Sequence, residues 1–272
     1  MTLQTLQLSN GVTRYVQAGA GAPVLLLHGV GLQAEAWGPQ IAALSADHRV
    51  IALNMPGHGG SDLLAAGADL PAYVAWAAEA IRALGISPVA VAGHSMGAFI
   101  AAGLAIEHPD LIARVAVLNG VHRRTDAARA AVQARALEIA QGKGDLETPL
   151  RRWFGDSAAE QLCRAQVANW LSQVSTAGYA AAYSAFAGGD AFYADRWHEI
   201  RCPALALTGD GDANSTGEMA QAMAAAAQNG RAVVISGHRH MVNLTAPETV
   251  SAALRDWLAM PAAAPKMERP VA

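Results

Sequence analysis

Gly93-His94-Ser95-Met96-Gly97 lies between two apolar runs, Pro88–Ala92 before it and Ala98–Ile106 after it. The first run is short and partly β-branched and reads as a buried strand. The second reads as a helix packed tightly on a sheet. A Gly-x-Ser-x-Gly turn between strand and helix forces the chain to reverse within a few residues. Side chains at Gly93 and Gly97 would collide with the neighbouring elements, and the serine is held in a strained conformation. Such a turn, a nucleophile elbow, presents Ser95 above the free N–H groups of the following helix.

The elements around this turn alternate strand and helix, which predicts an α/β fold with a mostly parallel central sheet and helices on both faces. Strands are expected at Thr13–Gln17, Val24–Leu27, Val50–Asn54, Val115–Leu118, Ala204–Leu207 and Ala232–Ile235. Helices are expected at Leu70–Leu84, where Trp76, Ala80 and Leu84 share a stripe, and at Glu248–Leu258. From about Gly120 to Arg196 strand-like runs disappear. Helical segments at Ala127–Gln141, Thr148–Phe154, Ala158–Ser172 and Ala177–Phe186 replace them. The division is therefore a core of residues 1–120 and 197–260, a helical cap of residues 121–196, and a loosely ordered tail of residues 261–272.

The 272 residues suffice for one large domain with a substantial core. Hydrophobic residues make up 53%, much of it alanine, and no run approaches the ~20 strongly apolar residues of a membrane span. Met1–Leu6 offers neither a basic start nor an apolar stretch, so no signal peptide is expected. A net charge of −3 gives no footprint for nucleic acid or for an anionic membrane. Cys163 and Cys202 lack metal-ligand or redox spacing, and a cytoplasmic protein with reduced thiols is the plain reading.

A serine hydroxyl needs a base within hydrogen-bond reach, and a histidine base needs an acid to fix its tautomer. Both follow in the chain, each after an expected strand. Thr208-Gly209-Asp210-Gly211-Asp212 offers Asp210 and Asp212, and Ser236-Gly237-His238-Arg239-His240 offers His238 and His240. Strand ends of a parallel sheet share one rim, which brings both loops toward Ser95. Spacing alone leaves each pair open.

From Val24 to Leu258 the chain resembles the α/β-hydrolase fold. Gly-x-x-Asp after the strand at Ala204–Leu207 is similar to the acid loop of that family, which favours Asp212. His240-Met241-Val242-Asn243 followed by Pro247-Glu248 is similar to its histidine loop, which favours His240. By the same resemblance His28-Gly29-Val30-Gly31 supplies an oxyanion donor through the Val30 amide, with Met96 as the second donor and His28 shaping the loop. Met55–Asp62 resembles the family's turn after the third core strand. Asn54 stands where the family usually carries aspartate, and Ala98 where it carries a second glycine. Ser95 itself rules against the haloalkane dehalogenase branch, which requires an aspartate there.

Arg152-Trp153-Phe154, Thr176-Ala177-Gly178-Tyr179 and Cys202-Pro203 are most similar to 3-oxoadipate enol-lactonases and small-molecule esterases. The resemblance implies a serine hydrolase cleaving a carboxylic ester or enol-lactone of a small molecule through an acyl-enzyme, with no metal or cofactor. Carbon–carbon bond hydrolases, cofactor-free dioxygenases using the His-Asp pair, and non-catalytic ligand-binding members are the rivals. Trp37, Arg123, Arg124, Arg152 and Trp153 are the candidates for substrate contact, the arginines suiting a carboxylate. A solvated helix face explains those arginines equally well.

Overall fold

The computed structural model describes residues 2–261. Apart from Pro261, the expected tail lies outside the described residues. Eight strands form one sheet: β1 (Leu3–Leu8), β2 (Gly11–Ala18), β3 (Ala22–Leu27), β4 (His48–Leu53), β5 (Val89–His94), β6 (Ile112–Leu118), β7 (Ala204–Gly209) and β8 (Gly230–Ile235). Their spatial order is β1-β2-β4-β3-β5-β6-β7-β8. Only β1 with β2 and β2 with β4 run antiparallel; every other pairing is parallel.

Ten helices accompany the sheet among the described residues. They are α1 (Gly38–Leu44), α2 (Leu70–Ala83), α3 (Met96–Glu107), α4 (Asp126–Ala140), α5 (Glu147–Trp153), α6 (Ala158–Gln173), α7 (Thr176–Gly189), α8 (Gly217–Ala226), α9 (Val242–Thr245) and α10 (Pro247–Leu258). None is long and apolar enough to cross a membrane. Sequence reasoning missed β1, α1, the short α9 and α8. The last of these is alanine-rich and identified chiefly by its Thr216 cap, whose hydroxyl accepts from the Met219 amide at 3.3 Å.

The central strands are apolar on both faces because both faces are covered. Leu25 and Leu27 enter one core with Val91 and Val117, while Val24 and Leu26 enter the other with Trp37 and Trp257. Fully burying each leucine contributes about 1.5–3 kcal/mol. Helix α3 is buried from Met96 to Ile106, which explains why it carries no polar stripe. The parallel register pairs Leu27 with Gly93, Leu118 with Leu207 and Gly209 with Ile235. The loops leaving β3, β5, β6, β7 and β8 consequently share one rim of the sheet. Helices α4 to α7 all lie between β6 and β7 in the chain.

Candidate active site

Ser95 leaves β5 with φ 54° and ψ −114°, a backbone conformation costing on the order of 1–3 kcal/mol. Packing enforces it. A Cβ on Gly93 would strike the Gly97 carbonyl, and one on Gly97 would strike the Leu27 carbonyl of β3. The Ser95 amide is tied to the Leu118 carbonyl of β6 at 2.9 Å. Met96 opens α3, so its N–H belongs to the helix's free first turn. Among the described residues the Val30 N–H also donates to nothing.

Two buried histidines shape the Val30 loop. His28 Nδ1–H donates to the Gly29 carbonyl at 2.8 Å, and its Nε2 accepts from the Met55 amide at 2.9 Å. His58 Nδ1–H donates to the Pro56 carbonyl at 3.0 Å, while its Nε2 accepts from the Gly31 amide at 3.0 Å. Burial is the main reason both imidazoles titrate far below the usual value, His28 at about 3 and His58 at about 4. Both are neutral scaffolding. Asn54 stays in this scaffold: its side-chain oxygen accepts from the Ala34 amide at 2.7 Å and its amide donates to the Gly59 carbonyl at 3.2 Å.

Asp212 and His240 meet at the opposite side of the rim. His240 Nδ1–H donates to Asp212 Oδ2 at 2.7 Å, leaving the Nε2 lone pair as a base. The aspartate is 3% exposed. Burial pushes its carboxyl up, but the His240 charge and hydrogen bond, with bonds from Asn119 Nδ2 (2.8 Å) and the Asn214 amide (2.9 Å), outweigh it and hold it low. Asp210 is occupied elsewhere, accepting from Ser236 Oγ at 2.9 Å and the Gly237 amide at 2.8 Å. His238 bonds Thr245 Oγ1 at 2.9 Å. The structure therefore puts Asp212, not Asp210, against a histidine, and that histidine is His240.

Ser95, His240 and Val30 share the wall of a cavity of about 600 Å³. Helices α4, α5 and α7 supply most of the remaining lining, including Arg124 at the entry to α4, Arg135, Arg152, Trp153, Tyr179 and Tyr183. Ser95 lines this cavity beside His240, and its Oγ makes no hydrogen bond among the described residues. Trp153 stacks on the His240 ring with centroids 5.6 Å apart and planes inclined by 25°. Arg239 clamps that helix end to the histidine loop, its Nη1 donating to the Phe154 carbonyl at 2.6 Å and the Arg151 carbonyl at 3.1 Å.

Two residues expected at the substrate are elsewhere. Trp37 is wholly buried in the core on the other face of the sheet, because it packs with Val24, Leu26 and Ile41. Arg123 sits at φ 53° and points away to an exposed ion pair with Asp195 at 2.6 Å. Conversely, sequence reasoning passed over Asn119. It follows β6 at φ 49°, a conformation asparagine tolerates, and is fully buried against Asp212. An Asn-Gly pair directly after a core strand was the available signal.

A model of the alpha/beta hydrolase family matches residues 24–253. The chain belongs to this family. Among the family's curated members, the (E)-2-((N-methylformamido)methylene)succinate hydrolase of Acinetobacter baylyi is 54% identical over 259 residues, covering 95% of this chain and 98% of the relative. Solved α/β-hydrolases align as fully. An esterase from Thermogutta terrifontis with malate bound gives a TM-score of 0.85 at 25% identity, covering 95% of this chain and 98% of its own. The enol-lactonase of Burkholderia xenovorans LB400 gives 0.83 at 22% identity, covering 94% of this chain and 100% of its own, and speaks for the fold alone. The expected α/β-hydrolase fold is thus the observed one, and the chain is a hydrolase of that family.

Replacing either aspartate separates their parts. Asp212→Asn should lower kcat/KM by about 10³- to 10⁴-fold, since an amide neither fixes the His240 tautomer nor balances its charge. Asp210→Asn should change it by less than about threefold, because its bonds close a surface loop. Steady-state kinetics on one acyl substrate decide, and the reverse ranking would move the acid to Asp210.

Proposed function

We propose that this α/β-hydrolase transfers an acyl group from a small anionic substrate to Ser95 and then to water. The favoured scissile group is an N-formyl enamide. What carries the reading is the arrangement of Ser95, strained above the free amides of α3, on one cavity wall with a His240 already bonded to buried Asp212. The extensive identity to the Acinetobacter hydrolase, whose name specifies an N-methylformamido group on a methylene succinate, supports this choice of substrate. The carboxylic ester or enol-lactone expected from the sequence would pass through the same steps.

In this reading Ser95 Oγ attacks the acyl carbon while His240 Nε2 takes its proton. The Val30 and Met96 amides receive the developing oxyanion, each such donor supplying on the order of 10²- to 10³-fold in kcat. The carbon–nitrogen bond breaks, His240 returns the proton to the departing enamine, and the electron pair left on nitrogen is delocalised along the double bond toward a carboxylate. Water, deprotonated by His240, then attacks the formyl-serine and releases formate. One water is consumed. Asp212 holds the imidazole throughout and stabilises its positive charge.

Incubating the purified protein with (E)-2-((N-methylformamido)methylene)succinate should release one formate per substrate cleaved. Rapid quenching followed by mass spectrometry should find 28 Da, about one formyl group in place of hydrogen, on the peptide containing Ser95. Formate release without any serine adduct, together with full activity of a Ser95→Ala variant, would instead support direct attack by water. Absence of turnover on this compound, with turnover of simple esters or enol-lactones, would return the scissile bond to the ester class.

A further inference from the structure

The His240 ring is held by more than its acid. The Nδ1–H bond to Asp212 fixes one point of the imidazole, but a hydrogen bond tolerates about 30° of misalignment. The flat contact with Trp153 removes that freedom, since the indole lies against the imidazole at 5.6 Å and 25°. His94 adds a tilted contact at 5.1 Å and 58°. So packed, His240 is only 5% exposed, while Trp153 stays half-buried.

Trp153 is itself set in place. It is the last residue of α5, whose Leu150 and the following Phe154 are buried in the core. Glu147, at the start of α5, is ion-paired with Arg164 of α6. At the other end the Gly155 amide turns to Glu160 Oε1 at 2.8 Å, so the Arg151 carbonyl lacks its helical partner. Arg239 Nη1 supplies one, and takes the Phe154 carbonyl as well, a cation at a helix C-terminus. The Arg239 carbonyl in turn accepts from Asn119 Nδ2 at 3.3 Å, and the same amide donates to Asp212. One residue therefore ties the helix carrying Trp153 to the loop carrying His240 and, through Asn119, to the acid.

We propose that Trp153, braced by Arg239, is a positioning residue for the base: it holds the His240 ring with Nε2 toward Ser95 and stabilises the imidazolium that forms during acyl transfer. The inference rests on the reading of His240 as the base and adds what orients it.

The contact strengthens as the reaction needs it. A neutral imidazole and an indole attract by dispersion, and once the imidazole takes a proton the electron-rich indole face attracts the cation as well. The 5.6 Å separation lies within the roughly 6 Å reach of that attraction. An interaction that grows between ground state and transition state acts on kcat more than on KM. The new charge then has Asp212 at Nδ1 and the indole at its face, and His94, held neutral by burial, does not oppose it. Trp153 also lines the cavity with Ser95, so direct contact with substrate is the rival role, and it would act on KM.

The test uses p-nitrophenyl acetate, whose acyl part is small. Trp153→Leu should lower kcat about 5- to 50-fold and change KM by less than about threefold. Trp153→Phe, which keeps a flat ring, should recover most of the loss. In a His240→Ala background Trp153→Leu should cost nothing further, because the indole acts only through the imidazole. Arg239 is not part of the cavity lining, and Arg239→Met should lower kcat about 3- to 10-fold with KM unchanged. That variant decides should Trp153→Leu fail to fold, and an unchanged kcat in it would overturn the proposal. So would a loss carried by KM, or an equal loss with and without His240. A second readout needs no turnover. The Nδ1–H proton that His240 shares with Asp212, followed by NMR in the free protein, should exchange with water faster in Trp153→Leu and in Arg239→Met. Unchanged exchange in both would overturn the proposal. This measurement holds even if the wild-type protein hydrolyses no acyl compound, an outcome that would count against the acyl-transfer reading alone.

Discussion

Ser95→Ala should lower kcat for acyl hydrolysis by about 10⁵-fold or more while leaving the protein folded. The substitution keeps the Cβ and the strained backbone at φ 54° and removes only the nucleophilic oxygen. His240→Ala should cost about as much, and the double variant hardly more than either single one, because serine and histidine act on one proton transfer. A small residual rate from the oxyanion amides and from binding should survive all three. Ser95→Gly offers a companion measurement. It should be equally inactive but about 1 kcal/mol or more stable than Ser95→Ala, since glycine adopts this conformation without strain. Kinetics and denaturant midpoints on the four variants and the wild type test this together. If Ser95→Ala kept most of its turnover while His240→Ala lost it, the histidine–aspartate pair would be acting on substrate directly, as the dioxygenase reading requires.

Stability should fall steeply as the solution is acidified from pH 7 toward 4. His28, His58 and His94 are each 1% exposed or less and are held neutral mainly by burial, titrating at about 3, 4 and 3 in the folded protein. In the unfolded chain an imidazole titrates near pH 6.5. Their folded values are depressed, so below about pH 6.5 the unfolded chain binds protons that the native state refuses. The contribution is complete above that pH and is lost as pH falls toward the folded values. Protonation is resisted for a visible reason. His28 and His58 use their Nε2 lone pairs to accept from Met55 and Gly31, and an added proton would face another N–H. His94 Nε2–H donates to the His240 carbonyl at 2.8 Å, leaving a buried Nδ1 without a partner and with no room for charge. Each histidine gives about 1.4 kcal/mol per pH unit, and the three about 4. That slope is large against a total of about 5–15 kcal/mol. Urea unfolding at pH 7, 6, 5.5 and 5 measures it directly. His58→Gln should reduce the slope by about one third, and a stability that stays flat from pH 7 to 5 would show that these rings are protonated in the native protein.

The two effects meet at the elbow. His94 precedes the nucleophile and supports the backbone of the loop that carries His240, with the two rings 5.1 Å apart. The turn that presents Ser95 is thus built on a scaffold that only neutral imidazoles can hold.

Local chemistry along the chain was enough to determine much of this protein. The elbow is legible because Gly93 and Gly97 are steric requirements of one turn, and such requirements are written in consecutive residues. The same holds for the alternation of buried strands with helices, which fixed a parallel sheet and hence a shared rim for the loops. It also holds for the helices between β6 and β7, whose caps at Thr125, Ser157 and Ser175 are local signals. What tertiary structure alone decided is every question of which side chain meets which. Asp210 and Asp212 lie two residues apart; spacing leaves them open and the family resemblance favours Asp212, but it is the packing of Asn119 after β6 and His240 from beyond β8 that puts Asp212 against the histidine. Trp37 and Val30 lie seven residues apart on opposite faces of the sheet, one in the far core and the other on the cavity wall. Arg123 and Arg124 are adjacent, yet a positive φ turns the first to solvent while Asp190, from the end of α7, buries the second. Backbone preference acts between neighbours and is carried by sequence. Burial and ion pairing depend on residues tens of positions apart, and only the folded chain brings those together.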